Sequence, residues 1–100
     1  MFQRALQGKE KALGPDHTLT LFTVGNLGNL YKDQGRLPET EATYQRALKG
    51  REKALGPDHP STLVTVKNLG ILYKDQGRLP EAEAMYQRAL QGKERALSTT

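Results

Sequence analysis

The sequence contains no cysteine, no long apolar run and only two histidines, and each shortage excludes a class of protein. Without cysteine the chain can form no disulfide framework and offers no thiolate as nucleophile or zinc ligand, so a cytoplasmic location is expected. No apolar run approaches the ~20 residues that a membrane-spanning helix needs. The N-terminus is amphipathic and charged, unlike a signal peptide, so no membrane partner is expected.

The charges are nearly balanced and evenly spread. Fifteen Lys and Arg residues accompany eleven Asp and Glu residues, giving a formal net charge of +4. Basic residues alternate with glutamates instead of forming one stripe, which favours the solvated surface of helices over a nucleic-acid-binding face. The sequence also has no glycine-rich phosphate loop, no nucleophile–base pair and no metal-spaced carboxylates. We therefore expect no enzyme, no metal and no cofactor.

The chain repeats itself with a period of 42 residues. The letters QRAL begin at Gln3, Gln45 and Gln87, and LYKDQGRLPE begins at Leu30 and at Leu72. Self-similarity along a whole chain is typical of a repeat array. The sequence therefore predicts one all-α repeat domain over residues 1–100.

The spacing of apolar residues predicts that each repeat is a pair of helices. One helix would end at Gly77 in a left-handed turn, and Pro80 would lie in the first turn of the next. The three-residue linker GRL requires an antiparallel hairpin. Gly25, Gly50 and Gly92, like Gly8, fall inside helices and are each expected to destabilise them by up to ~1 kcal/mol. The two apolar stripes are Leu63, Val66, Leu69, Gly70 and Tyr73, then Ala82, Met85, Tyr86, Ala89 and Leu90.

The stretch LGPDH occurs twice and places an acid beside an imidazole each time. A catalytic or metal site would need a third group, and there is no further histidine to supply one. The stretch is better explained as a connection in which Gly56 ends one helix and Asp58 or His59 caps the next. We interpret it as structural.

The residues Leu69, Gly70, Tyr73, Ala82, Tyr86 and Ala89 resemble the tetratricopeptide repeat signature. The 42-residue length resembles the repeats of kinesin light chains and of arrays in fungal and bacterial signal-transduction NTPases. The resemblance implies a right-handed α-solenoid that serves as a non-catalytic scaffold for protein–protein interaction. Gly28 and Gly70 would let paired helices approach closely, and the four tyrosines would fill the adjacent core.

The phase of the repeat predicts five helices. Residues 1–14 would be a partial repeat consisting of a second-type helix only, followed by repeat 1 at 15–56 and repeat 2 at 57–100. Each unit buries its apolar faces only against neighbours, so the ends of this array are expected to be open. The chain would then be a marginal monomer, or its ends would stack or swap between chains and form a homo-oligomer.

The resemblance also implies that the first helices of the pairs line a concave groove for a peptide. Asparagine is a two-way hydrogen-bonding group and lysine a point charge, so they suit an acidic or C-terminal peptide. Alternatively, the asparagines bond neighbouring helices and the lysines are ordinary surface charges. Self-assembly of the repeats is the alternative function. The candidate groove residues are Asn26, Asn29, Lys32, Lys67, Asn68, Ile71 and Lys74.

Overall fold

The computed structural model describes residues 17–98, which form four helices and no strand. They are α1 (Thr18–Asp33), α2 (Leu37–Leu55), α3 (Pro60–Asp75) and α4 (Leu79–Ser98). Consecutive helices pack against each other, so α1–α2 and α3–α4 are hairpins and α2 joins them. The predicted all-α repeat fold is confirmed. The helix predicted over residues 1–14 lies outside the described residues, as does Gly8.

Each hairpin turns through the same glycine motif. Gly35 and Gly77 have φ of 74° and 75°. The amide of Arg78 donates to the carbonyl of Tyr73 at 2.8 Å, and the amide of Gly77 donates to the carbonyl of Lys74 at 2.9 Å. This is the Schellman pattern, in which glycine takes the left-handed position without strain. The predicted role of Gly77 is therefore confirmed.

The LGPDH connection is capped by its histidine. The Nδ1 atom of His59 accepts a hydrogen bond at 3.1 Å from the amide two residues later, and His17 does the same at the start of α1. Asp58 has a different task, because its carboxylate accepts from both Nε and Nη2 of Arg95, at 3.0 and 2.9 Å. The imidazole of His59 accepts from an otherwise unpaired amide of α3, and the carboxylate of Asp58 binds the connection to Arg95 of α4.

The helices of each hairpin approach closely where the predicted glycines lie. A Cβ atom built on Gly28 would be 2.8 Å from two ring atoms of Tyr44, and one on Gly70 would be 3.0 Å from the ring of Tyr86. Both distances are below van der Waals contact, so the tyrosine rings occupy the space that a side chain would need. The expectation from the sequence is confirmed at both positions.

The glycines of the second helices also have a packing role. A Cβ atom on Gly50 would be 2.5 Å from Leu21, and one on Gly92 would be 2.6 Å from Leu63. Helix propensity alone predicts that Gly50 and Gly92 only weaken their helices, and this prediction is incomplete. Their missing side chains let the buried leucines of α1 and α3 lie directly against the partner helix.

The core is continuous from α2 to α3 and open beyond α4. Tyr44 and Leu48 of α2 are buried beneath α3, with 3% and 8% of their surface exposed. Their counterparts Tyr86 and Leu90 on α4 are 37% and 58% exposed. The prediction that all four tyrosines are buried is wrong for Tyr86, because no helix among residues 17–98 packs on that side of α4.

Candidate functional site

A cavity of about 150 Å³ lies between α1 and α3, with α2 as its floor. The first helices of both pairs therefore line it, as the groove prediction requires. Phe22 and Val64 stand exposed at its edges, and Tyr44 and Ala47 of α2 form part of the apolar base. The polar lining consists of Asn26, Asn29, Arg51, Thr65 and Asn68.

Three of the seven candidate groove residues share this cavity. Asn26 and Asn29 reach it from α1 and Asn68 from α3. Lys67 instead lines a separate cleft between α3 and α4. The remaining candidates lie on the first helices but line neither space: they are Lys32, Ile71 and Lys74.

Asn29 bonds a neighbouring helix. Its Oδ1 atom accepts a hydrogen bond from the hydroxyl of Tyr44 on α2. Burial raises the pKa of Tyr44, and the nearby charge of Asp33 adds to the effect, so the hydroxyl stays neutral and keeps its proton for this bond. The alternative interpretation of the asparagines therefore holds for Asn29 on its acceptor side. Its NH₂ group carries two donors that this bond does not use.

Arg51 is the residue of the cavity that the sequence analysis missed. Its Nη1 atom donates to the hydroxyl of Thr65 at 2.6 Å, and the guanidinium meets no carboxylate within residues 17–98. Burial lowers the pKa of Arg51, but a guanidinium stays protonated in proteins. The cavity thus contains a partly desolvated positive charge with unused donors. Such a group suits a carboxylate, which it can bind through two parallel hydrogen bonds.

A departure from the repeat makes room for this guanidinium. A Cβ atom on Gly25 would lie 3.8 Å from Nη2 of Arg51, whereas the equivalent position in the next repeat carries Lys67. Arg51 itself stands where the other two copies of the unit have Lys9 and Lys93. These two deviations from an otherwise regular array were the signal in the sequence for this position.

The second cleft lies at the outer side of the α3–α4 pair and measures about 390 Å³. Leu63, Val64 and Leu97 give it apolar walls, and Lys67 and Lys93 lie at its edge. Four equivalent positions of the first pair line the smaller cavity: Phe22, Gly25, Ala47 and Arg51. The two spaces differ in size because α3 covers the first pair.

In the stretch from residue 17 to residue 98, no group of three or more histidines and acidic residues is close enough to hold a metal ion. No helix in that stretch is long and apolar enough to cross a bilayer.

Comparisons with known proteins agree with this architecture. The family model described as tetratricopeptide repeat matches residues 23–95. The crystal structure of BtubC (BKLC) from P. vanneervenii superposes with a TM-score of 0.88 at 21% sequence identity, over 94% of this chain and 37% of that one. At this identity the likeness shows the fold alone, and the chain spans little more than a third of that protein. None of the curated proteins matches the sequence.

Proposed function

Because the chain belongs to the tetratricopeptide repeat family, whose repeats generally mediate protein–protein interaction, we propose that it is a non-catalytic scaffold that binds an acidic peptide between α1 and α3. The observation that carries the proposal is Arg51. Its guanidinium is half-buried at the floor of the cavity and has a hydroxyl, not a carboxylate, as its partner among residues 17–98. An incoming carboxylate would satisfy its remaining donors and recover charge stabilisation that burial has weakened.

The asparagines supply the second part of the binding surface. Asn26 lines the cavity from α1 and Asn68 lines it from α3, and both are partly exposed. Each side-chain amide can both donate to a peptide carbonyl and accept from a peptide amide. Two such groups on opposite walls would hold an extended backbone without reading its side chains. Specificity would then come from the carboxylate at Arg51.

The apolar residues at the edges of the cavity bear on the expected binding affinity. Phe22 and Val64 are both more than half exposed and offer a small contact for a ligand side chain. A cavity of about 150 Å³ buries only part of a peptide, so most of the ligand would stay in solvent. We expect dissociation constants on the order of 10–100 μM, as for small transient interfaces.

Fluorescence anisotropy with matched peptides tests this proposal. The probe is a fluorescein-labelled octapeptide with two glutamates and a free C-terminal carboxylate, and its control has two glutamines and a C-terminal amide. Arg51→Gln and Asn68→Ala are each expected to weaken binding of the acidic peptide about tenfold. Lys74→Gln is the matched control, because Lys74 is a cation on α3 outside the cavity.

The pattern of losses decides the outcome. Equal binding of the two peptides would show that the carboxylates of the ligand are not recognised, and equal losses from Arg51→Gln and Lys74→Gln would show that only general attraction to a basic protein is being measured. The proposal would then be wrong. Circular dichroism of each variant excludes a loss of fold as the cause.

A second candidate function is self-assembly, and the exposure of α4 favours it. The side of α4 that corresponds to the α2–α3 contact bears Tyr86 and Leu90, which are uncovered. The peptide cavity lies on other elements, so assembly and peptide binding could coexist in one molecule.

A further inference from the structure

The exposed side of α4 carries a regular stripe. Its members follow one another at alternating steps of four and three residues, which places them along one line of an α-helix. Four of the seven large apolar side chains that are exposed in the described part of the chain belong to it. The buried face of α4, which includes Ala82 and Ala89, lies to one side. The stripe is Leu79, Glu83, Tyr86, Leu90, Lys93 and Leu97.

The equivalent stripe on α2 shows what such a surface does. Leu37, Tyr44 and Leu48 of α2 pack against the apolar side of α3. Glu41 accepts a hydrogen bond at 2.7 Å from Arg78, which follows α3. On α2 this register of residues is therefore a helix-binding surface. On α4 the same register is exposed.

The α4 stripe is complementary to itself when two copies run antiparallel. With a two-fold axis near residue 88, position i of one helix faces position 176 − i of the other. Leu79 then faces Leu97, and Tyr86 faces Leu90. Glu83 faces Lys93, and each of these three contacts occurs twice by symmetry. A parallel arrangement would instead set Glu83 against Glu83 and Lys93 against Lys93, where like charges repel.

We propose, in an inference that rests on the second candidate function, that the exposed stripe of α4 is a dimerisation surface that binds the α4 helix of a second copy of this chain, antiparallel and about a two-fold axis. Charge complementarity and exposure favour a second α4 helix as the partner of this stripe. Glu83 and Lys93 are both exposed and are complementary only in this register. The first helix α1 of another copy is a poorer occupant, since Val24 and Leu27 of its own stripe are already buried.

The symmetry limits the size of the assembly. A two-fold contact uses the same surface on both partners, so it closes at the dimer. Head-to-tail stacking of repeats would use two different surfaces and could extend into rings or filaments. The proposed pairing therefore predicts one species, with about twice the 11.1 kDa mass of the chain. The contact is one helix wide, so we expect a dissociation constant on the order of 10 μM.

Sedimentation velocity over a range of ~1–500 μM, with light scattering coupled to size exclusion, measures this association. Reversal of one charge, Glu83→Lys or Lys93→Glu, would place like charges together twice in each dimer. Each single reversal is expected to weaken dimerisation about tenfold or more. Combining the two changes restores opposite charges at both contacts, and dimerisation is expected to return to within about threefold of the original.

Lys49→Glu is the matched control. Lys49 is an exposed lysine on α2, outside the stripe register, so its reversal changes the net charge as Lys93→Glu does without touching the proposed contact. It is expected to leave dimerisation unchanged. All substituted residues are exposed, and circular dichroism verifies that each variant folds.

Each possible result bears on the proposal. A mass that stays at one chain over the whole range overturns it, and so does growth beyond the dimer with concentration. A combined variant as weak as the single reversals overturns the antiparallel register. Recovery in the combined variant supports the register directly, because no head-to-tail contact pairs these two positions.

Discussion

Two glycines on α1, three residues apart, are predicted to respond in opposite directions to the same substitution. Both Gly25 and Gly28 lie inside the helix, where alanine is intrinsically preferred by about 1 kcal/mol. A Cβ atom on Gly25 would meet its nearest neighbour at 3.8 Å, which is ordinary contact. A Cβ atom on Gly28 would lie 2.8 Å from the ring of Tyr44. Helix propensity therefore favours alanine at both positions, whereas packing against Tyr44 opposes it at Gly28.

The loss of stability caused by Gly28→Ala depends on whether the ring of Tyr44 can move. Tyr44 is 3% exposed, and its hydroxyl donates to Asn29, so the ring is held at both its edge and its tip. Overpacking of this kind costs about 3 kcal/mol, the upper part of the usual range. After the gain in propensity, Gly28→Ala should destabilise the protein by about 2 kcal/mol. Gly25→Ala should stabilise it by up to ~1 kcal/mol.

Thermal unfolding and urea unfolding, each followed by circular dichroism, would measure both variants in parallel with the original protein. For a chain of this size 1 kcal/mol corresponds to about 4–8 °C, so the two melting temperatures should fall on opposite sides of the original. An unchanged m-value would show that folded-state packing is being compared. If Gly28→Ala stabilises the protein as much as Gly25→Ala does, the close contact with Tyr44 does not exist and the packing argument is refuted.

Two further predictions concern the connection between the repeats. Replacing His59 by alanine removes the N-cap acceptor of α3 and should destabilise the protein by about 1 kcal/mol in urea unfolding, whereas asparagine should largely retain the cap. The hydrogen bonds from Arg95 hold the pKa of Asp58 below its usual value. The pair therefore stabilises the folded protein above the unfolded-state pKa of Asp58. This contribution is lost as the pH falls through the lower folded-state pKa. Arg95→Gln should therefore be less stable than the original protein at pH 7, and the difference should shrink below about pH 4; a constant difference would contradict the linkage.

The features that recur in each repeat could be predicted from the sequence. Gly77 is predicted in a left-handed turn because it ends one helical pattern shortly before Pro80 opens the next. Gly28 is predicted at a close helix contact because it has no side chain and Ala47 faces it at similar depth. Both assignments depend on local chemistry that acts within one hairpin. Such chemistry is the same in every copy, so the repetition itself reinforced the prediction.

The features that depend on a neighbouring repeat could not be predicted in the same way. Gly50 looks like a poor helix residue until Leu21 is seen against it. Arg51 looks like an ordinary surface cation until its bond to Thr65 places it under α3. Helix propensity and charge are visible in the sequence, but which side chain meets which across two helices is set by their relative rotation.

The presence or absence of a neighbouring helix explains why the two proposed binding surfaces differ although they come from almost the same sequence. The α2 and α4 stripes have the same residue at five of their six positions and differ only at Arg51 and Lys93. On α2, the covering helix α3 buries Tyr44 and turns the uncovered remainder into a narrow polar cavity around Arg51. On α4 the stripe keeps its apolar surface exposed, and Lys93, the equivalent of Arg51, is exposed where Glu83 of a second copy would meet it in the proposed dimer. The proposed peptide cavity therefore forms where a neighbouring helix covers the repeat unit, and the proposed dimerisation surface lies where no helix among residues 17–98 covers it.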